Sequence, residues 1–384
     1  MPSRLAIAMF IDACGWDVVS ARPWWLKQLE HRQSARSVFG FSSACIPAIL
    51  TGRSPSSNDH WSSFRYSPST SPFSALRVLD LLPPSVADRG RVRRWVSKAI
   101  ASAYGFTGYF QIYNVPFSAL PLFDYAEKKD LFRPGGINAG TSLIDELVER
   151  KIPYHCSNWR KSERANLASL GEAVEEGTSR FAFLYTAGLD ALMHEHSRNS
   201  DHVDARLHWY ESQLQGVLDA ARRKYDDVQV AVFSDHGMAT VTRVVDLMPR
   251  VERLGLRFGK DYAAIFDSTM VRFWFLSPRA EELIRNALVD GKDGNWVREE
   301  KLKAYGTYWP DHRFGDAIYA LEPGVLLSPS HMGRSPMAGM HGYRPEDPDS
   351  DSALLASFVP ETPVSEIRDY YGLMIEMATW AQAG

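Results

Sequence analysis

Apolar positions along the chain fall into two rhythms. Residues 5–11 (LAIAMFI), 180–186 (RFAFLYT) and 228–234 (VQVAVFS) are short apolar runs without the polar alternation of a half-exposed strand. Such runs predict strands buried on both faces. Residues 141–151 (TSLIDELVERK) and 201–225 (DHVDARLHWYESQLQGVLDAARRKY) instead repeat their apolar residues at helical spacing. The second of these ends in basic residues, which suit a helix C-terminus. Strands alternating with helices predict an α/β fold: a three-layer sandwich around a mainly parallel sheet, with ligands at the carboxyl ends of its strands.

Two stretches break this alternation. Residues 61–135 are rich in Pro, Ser and aromatic residues (SPSTSPFSALRVLDLLPPS, AYGFTGYFQIYNVPF) and read as an irregular insertion. Its aromatic side chains have two readings, facing a substrate or filling a small core of their own. Residues 244–330, with a strand-like TMVRFWFLS and a helical RAEELIRNALVDG, read as a smaller inserted lobe. Both belong to one domain spanning residues 1–384, without internal repeats or low-complexity tracts.

Composition narrows the classes. Hydrophobic residues make up 45% and charged residues 23% of the 384 positions, ordinary for a globular chain that buries a sizeable core. The formal net charge of −3 offers no general attraction for nucleic-acid polymers or anionic membranes. Cys14, Cys45 and Cys156 form neither a disulfide framework nor a CxxC knuckle. The N-terminal MPSRLAIAMFIDACG has one basic residue and a short apolar core, a poor signal peptide, and no run reaches the ~18 apolar residues of a membrane helix. A cytoplasmic location is the expectation; oligomeric state is left open.

Each predicted strand delivers metal-capable residues to the same rim. Asp12 follows the first, Asp190 and His194 follow the second, and Asp235 and His236 follow the third. Any one of these Asp residues alone reads as a helix cap. In LDALMHEH, Asp190 and His194 stand at i and i+4, on one face of a helical turn, whereas His196 falls on another. The late segment GMHGYRPEDPDSD adds His341 beside glycines that allow close backbone approach; His331 is less well placed. Mixed imidazole and carboxylate ligation suits catalytic zinc, with manganese or iron as alternatives.

The set resembles the alkaline phosphatase superfamily, most closely its nucleotide pyrophosphatase and phosphodiesterase branch, through SDHG (234–237), DALMH (190–194) and HGY (341–343). The similarity follows the order of motifs from residue 5 to about 357 and leaves both insertions unmatched. It implies an alkaline phosphatase-like fold and two zinc ions. One would be held by Asp12, Asp235 and His236 together with the nucleophile, the other by Asp190, His194 and His341.

The nucleophile is sought in VFGFSSACIPAILTGRSP (38–55). CIPAI imitates a sulfatase signature, but Ile49 stands where that signature has Arg. Nucleophiles of the resembled families precede a Thr-Gly pair by nine residues, and counting back from Thr51 reaches Ser42, with Cys45 out of phase. Ser43 is the main competitor, and an N-cap serine is the bland alternative for Ser42. A hydroxyl at a helix start gains a positive field and free N–H groups for a phosphoryl oxygen. Relatives place an Asn some twenty residues onward, where this chain reads NDHWSSFRYSP; Arg65, Tyr66 and His60 are the candidate replacements for binding substrate. The expected function is metal-dependent hydrolysis of a phosphodiester or phosphoanhydride in a small molecule, nucleotide-linked substrates included, through a phosphoseryl intermediate. The alternatives are a phosphomonoesterase or phosphonate hydrolase on the same centre and a non-catalytic metal-dependent binding protein.

Overall fold

The computed structural model describes residues 3–81 and 89–384. Residues 1–2 of the N-terminal segment and 82–88 of the expected insertion lie outside the described residues. The three apolar runs become the strands Arg4–Ile11, Phe181–Thr186 and Asp227–Phe233, and the first pairs in parallel with both others. They form the middle of a six-stranded sheet whose order is His31–Ala35, Ser352–Ala356, Asp227–Phe233, Arg4–Ile11, Phe181–Thr186, Tyr154–Cys156. Ser352–Ala356 runs antiparallel to both its neighbours, so the sheet is mixed.

The lack of alternation in the first strand now has its cause. Leu5, Ile7, Met9 and Ile11 enter a core beneath the helices Glu163–Glu176 and Asp201–Lys224. Ala6, Ala8 and Phe10 enter the opposite core, against the helices Ser42–Thr51, Leu143–Glu149 and Asp369–Gln382. Both pleat faces are covered, which is the three-layer arrangement. Each large apolar side chain so buried contributes roughly 1.5–3 kcal/mol. The predicted helix at 201–225 is observed at Asp201–Lys224, with Arg222, Arg223 and Lys224 in its last turn. The helix predicted at 141–151 is shortened to Leu143–Glu149 by a capping box between Ser142 and Asp145.

The two stretches outside the alternation pack together. Within 244–330 lies a four-stranded antiparallel sheet, ordered Tyr262–Phe266, Met270–Phe275, Ala317–Leu321, Gly294–Trp296. Within 61–135, strand Phe64–Tyr66 pairs with Phe123–Tyr125, and residues Gly90–Tyr104 form a helix where irregular chain was expected. Val96 and Ile100, one turn apart, give that helix its buried stripe. Phe64, Phe73, Phe110 and Tyr125 share a core with Ala263, Ile265 and Trp274 of the other stretch. Arg272, fully buried, joins the two: it pairs with Asp267 at 2.8 Å and donates to the Phe64 carbonyl at 2.7 Å. Removing one member of such a pair costs about 3–5 kcal/mol, because the other charge is left buried alone. Among the described residues no helix is long and apolar enough to cross a membrane.

Candidate active site and metal centre

Sheet register fixes where the chemistry emerges. Phe10 is level with Phe233, and Ile11 with Thr186, so the chain leaves all three strands at one rim. Asp12 continues the first strand, with its N–H on the Thr186 carbonyl at 2.9 Å. The helix Gly188–His196 starts immediately after the second and presents Asp190 and His194 one turn apart. Asp235 and His236 leave the third. Strand Gly339–Met340 pairs with Ala239–Thr240 and so returns His341 to the same place, where its ring stacks on that of His236 with centroids 3.8 Å apart. Gly342 is needed for this approach: at φ +87° it occupies a left-handed conformation, and a Cβ there would meet the Phe41 ring at 2.6 Å.

Two ligand sets result, Asp12/Asp235/His236 and Asp190/His194/His341, each with its donor atoms within 4.8 Å of one another. Their donor chemistry fits divalent metal ions. One oxygen of Asp12 accepts the Tyr185 hydroxyl at 2.7 Å, and one of Asp235 accepts the N–H groups of Ala13 at 3.2 Å and His236 at 3.0 Å. The remaining oxygens, Asp12 Oδ1 and Asp235 Oδ2, are buried without a hydrogen-bond partner among the described residues, as is Asp190 Oδ1. Lone pairs left unmatched inside a protein are costly unless something fills the space they face. His194 and His236 donate Nδ1–H to the carbonyls of Gly339 (2.9 Å) and Gly237 (3.0 Å), which turns each Nε2 toward the carboxylates.

Electrostatics points the same way. Burial, with Asp235 and Asp190 adding repulsion, pushes the Asp12 carboxyl well above the usual range, and burial also raises Asp190. Burial opposes a charge on His236, yet Asp235 and the other carboxylates overcome it and hold the ring at about 10. That is the behaviour of a rim that draws positive charge.

Ser42 is the first residue of the helix Ser42–Thr51, and its Oγ lies 3.1 Å from His236 Nε2. The nine-residue count to Thr51 is therefore the length of one helix, closed by Gly52 at φ +65°. Ser43 Oγ is spent on the Trp61 carbonyl at 3.0 Å. Cys45 is fully buried beside Ser37, its thiol pushed up by burial. Of the three, Ser42 is the one that reaches the ligand sets. His196 stacks on His202, and His331 accepts the Phe266 N–H, so both lie outside those sets.

A cavity of about 530 Å³ opens over the rim. The three substrate contacts expected from sequence do not line it. Arg65 is held by Asp59 at 3.1 Å and Asp124 at 3.0 Å. Tyr66 stacks on Trp274. His60 is buried with Nε2 accepting the Asn138 N–H, and burial together with Arg65 pushes it down to about 3. The wall is built instead by Ser62, Glu127, Trp159 and Tyr185, which sequence reasoning missed, together with Tyr109 and Tyr113 from the aromatic stretch for which facing a substrate was one of two readings. Ser62 did carry a signal, standing twenty residues after Ser42 where relatives have Asn. It is buried, and no hydrogen bond of its hydroxyl is found among the described residues. Tyr113 holds a left-handed φ of 46°, strain of the kind that collects at functional sites.

Comparison with known proteins extends this picture. Residues 36–344 match the sequence pattern described as type I phosphodiesterase / nucleotide pyrophosphatase. The structure superposes on murine ectonucleotide pyrophosphatase/phosphodiesterase 5 with a TM-score of 0.67 at 13% identity, covering 98% of this chain and 95% of that one. The human counterpart gives 0.68 at 11% identity with the same coverage. An inactive form of the murine protein in complex with AMP gives 0.66 at 14% identity, again covering 98% and 95%. At such identities the likeness is one of fold. No curated protein sequence matches significantly.

Proposed function

The chain belongs to the type I phosphodiesterase / nucleotide pyrophosphatase family and is a phosphoric ester hydrolase; from that premise we propose that it cleaves a phosphodiester or phosphoanhydride bond of a small molecule through a phosphoseryl intermediate on Ser42. The observation that carries this reading is the Ser42 Oγ within 3.1 Å of His236, at the meeting point of two ligand sets with unmatched carboxylate oxygens. Two zinc ions held by these sets would polarise the serine hydroxyl and neutralise charge on the phosphoryl oxygens.

The chain's own residues then have distinct tasks. Ser42 Oγ attacks phosphorus, forming the Oγ–P bond as the bond to the leaving oxygen breaks; the serine proton passes to solvent and the leaving oxygen takes one up. Water next attacks the phosphoserine, breaks the Oγ–P bond and restores the hydroxyl. Backbone N–H groups at the start of the Ser42 helix and the unspent Ser62 hydroxyl suit the phosphoryl oxygens. Tyr185 keeps Asp12 in place through the 2.7 Å bond.

Protein loaded with zinc or manganese is tested on a nitrophenyl monoester, a nitrophenyl nucleotide diester and a nitrophenyl phosphonate ester. Faster diester turnover at about two metals per chain supports the reading. A monoester or phosphonate preference moves the activity to that class of the same superfamily. Absence of turnover on all three with full metal loading leaves a binding role and contradicts the proposal.

A further inference from the structure

A second cavity, of about 220 Å³, shares no residue with the one over the ligand sets and is lined, apart from Trp61, by residues 285–318. Its buried wall is aromatic. Trp309 packs on Phe314 with ring centroids 4.5 Å apart, and Trp61 meets each of them at 5.9 Å. Trp309 Nε1–H has no hydrogen-bond partner among the described residues, so this wall holds a donor that the protein leaves unmatched. Charge at the cavity is uneven. Glu299 is paired with Lys303 at 2.6 Å, Asp316 accepts the Phe275 N–H at 2.7 Å, and Arg285 is held by Glu281 at 2.9 Å. Arg298 is exposed, and among the described residues its side chain has neither an ion pair nor a hydrogen bond. Aromatic faces beside an unspent guanidinium suit a flat ring that carries a carboxylate, and the volume admits roughly one fused pair of rings.

Trp61 connects this cavity to the nucleophile. Its Nε1–H donates to the Phe39 carbonyl at 2.6 Å and its own carbonyl accepts the Ser43 hydroxyl at 3.0 Å, so it grips the chain on both sides of Ser42. The packing is close: a Cβ at Gly40 would lie 3.0 Å from the indole nitrogen. The next residue, Ser62, lines the catalytic cavity. We propose that the cavity beside Trp61 is a second small-molecule site, for a planar aromatic carboxylate, whose occupancy alters turnover through Trp61. Binding there is independent of the proposed reaction, and the effect on turnover rests on that reading. A ligand against Trp61 acts on catalysis by favouring one placement of the Phe39–Ser43 segment over another, which makes the coupling a difference in affinity between two states.

The probes are indole-3-acetate and its uncharged analogue indole-3-ethanol, titrated by calorimetry into metal-loaded protein. One acetate per chain is expected, bound about tenfold more tightly than the alcohol, and Arg298→Gln brings the two affinities together. Protein stripped of metal by a chelator binds the acetate equally well, because the probe does not sit on the ligand sets. Saturating acetate changes kcat for a nitrophenyl diester about fivefold with KM nearly constant, and Ser43→Ala keeps the affinity but loses this response. Equal affinities for acid and alcohol, or binding that vanishes with the metal, overturn the site. Binding as expected with kcat unchanged overturns the link through Trp61. If the diester is not turned over at all, the proposed function fails, and the calorimetry still decides the site.

Discussion

The two ligand sets differ in how the protein holds them. Side chains of Asp12, Asp235 and His236 are 0–4% exposed, whereas those of Asp190 and His194 are 20% exposed and that of His341 is 8%. The inner set grows directly from strand ends, and its carboxylates are braced from behind by Tyr185 and the Ala13 and His236 N–H groups. The outer set combines one turn of a helix with a returning loop and faces the cavity. In the proposed mechanism the sheet fixes the side that holds the nucleophile, and the more open side is left to the leaving group and water.

Removing the nucleophile tests that division most severely. Ser42→Ala is expected to lower diester turnover by about a thousandfold or more while metal content stays within a factor of about two of wild type. Loss of metal alongside activity would show that Ser42 mainly builds the inner set. Next comes Ser62→Ala, for which kcat falls roughly a hundredfold if its hydroxyl meets a phosphoryl oxygen. A change confined to thermal stability would place it outside the chemistry.

Bracing of the inner set is probed by Tyr185→Phe, expected to weaken inner-site metal affinity about tenfold, measured by competition with a chelator. The matched change at the outer set, His194→Gln, should release one metal per chain and spare the other. Timed chelation of the wild-type protein should likewise be biphasic, with the exposed set emptied first; a single phase would erase the distinction. Smallest is Arg65→Ala. It should lower stability by roughly 1 kcal/mol through the lost pairs with Asp59 and Asp124 and leave KM unchanged. A raised KM would restore Arg65 to the substrate site.

What could be read from sequence follows the same boundary. Asp12, Asp190 and Asp235 are legible because each follows an uninterrupted apolar run whose two faces are both buried, and His194 because helical spacing is local. Ser42 is legible because the Thr51 count spans a single helix. Strand Ser352–Ala356 was missed, with five residues and no flanking pattern to declare its antiparallel entry. Glu127 left no signal either, since its position depends on packing between stretches far apart in the chain, whereas Tyr109 belongs to the aromatic stretch for which a substrate-facing reading was open. Arg65, Tyr66 and His60 were favoured for their nearness to Ser42 along the chain, but strand Phe64–Tyr66 commits its neighbours to the lobe: Phe64 enters its core, Arg65 pairs with Asp124 and Tyr66 stacks on Trp274. Ser62 and Ser63, just before that strand, are the residues that the fold keeps at the cavity.

The central claim is covalent, and one measurement reaches it directly. Metal-loaded protein is mixed with a nitrophenyl diester, quenched in acid within the first turnover, digested, and its peptides are weighed by mass spectrometry. The account predicts the phosphoryl adduct on the peptide containing Ser42, localised to that residue by fragmentation and absent from Ser42→Ala. An adduct on Ser43, or full turnover of the diester by Ser42→Ala, would contradict it.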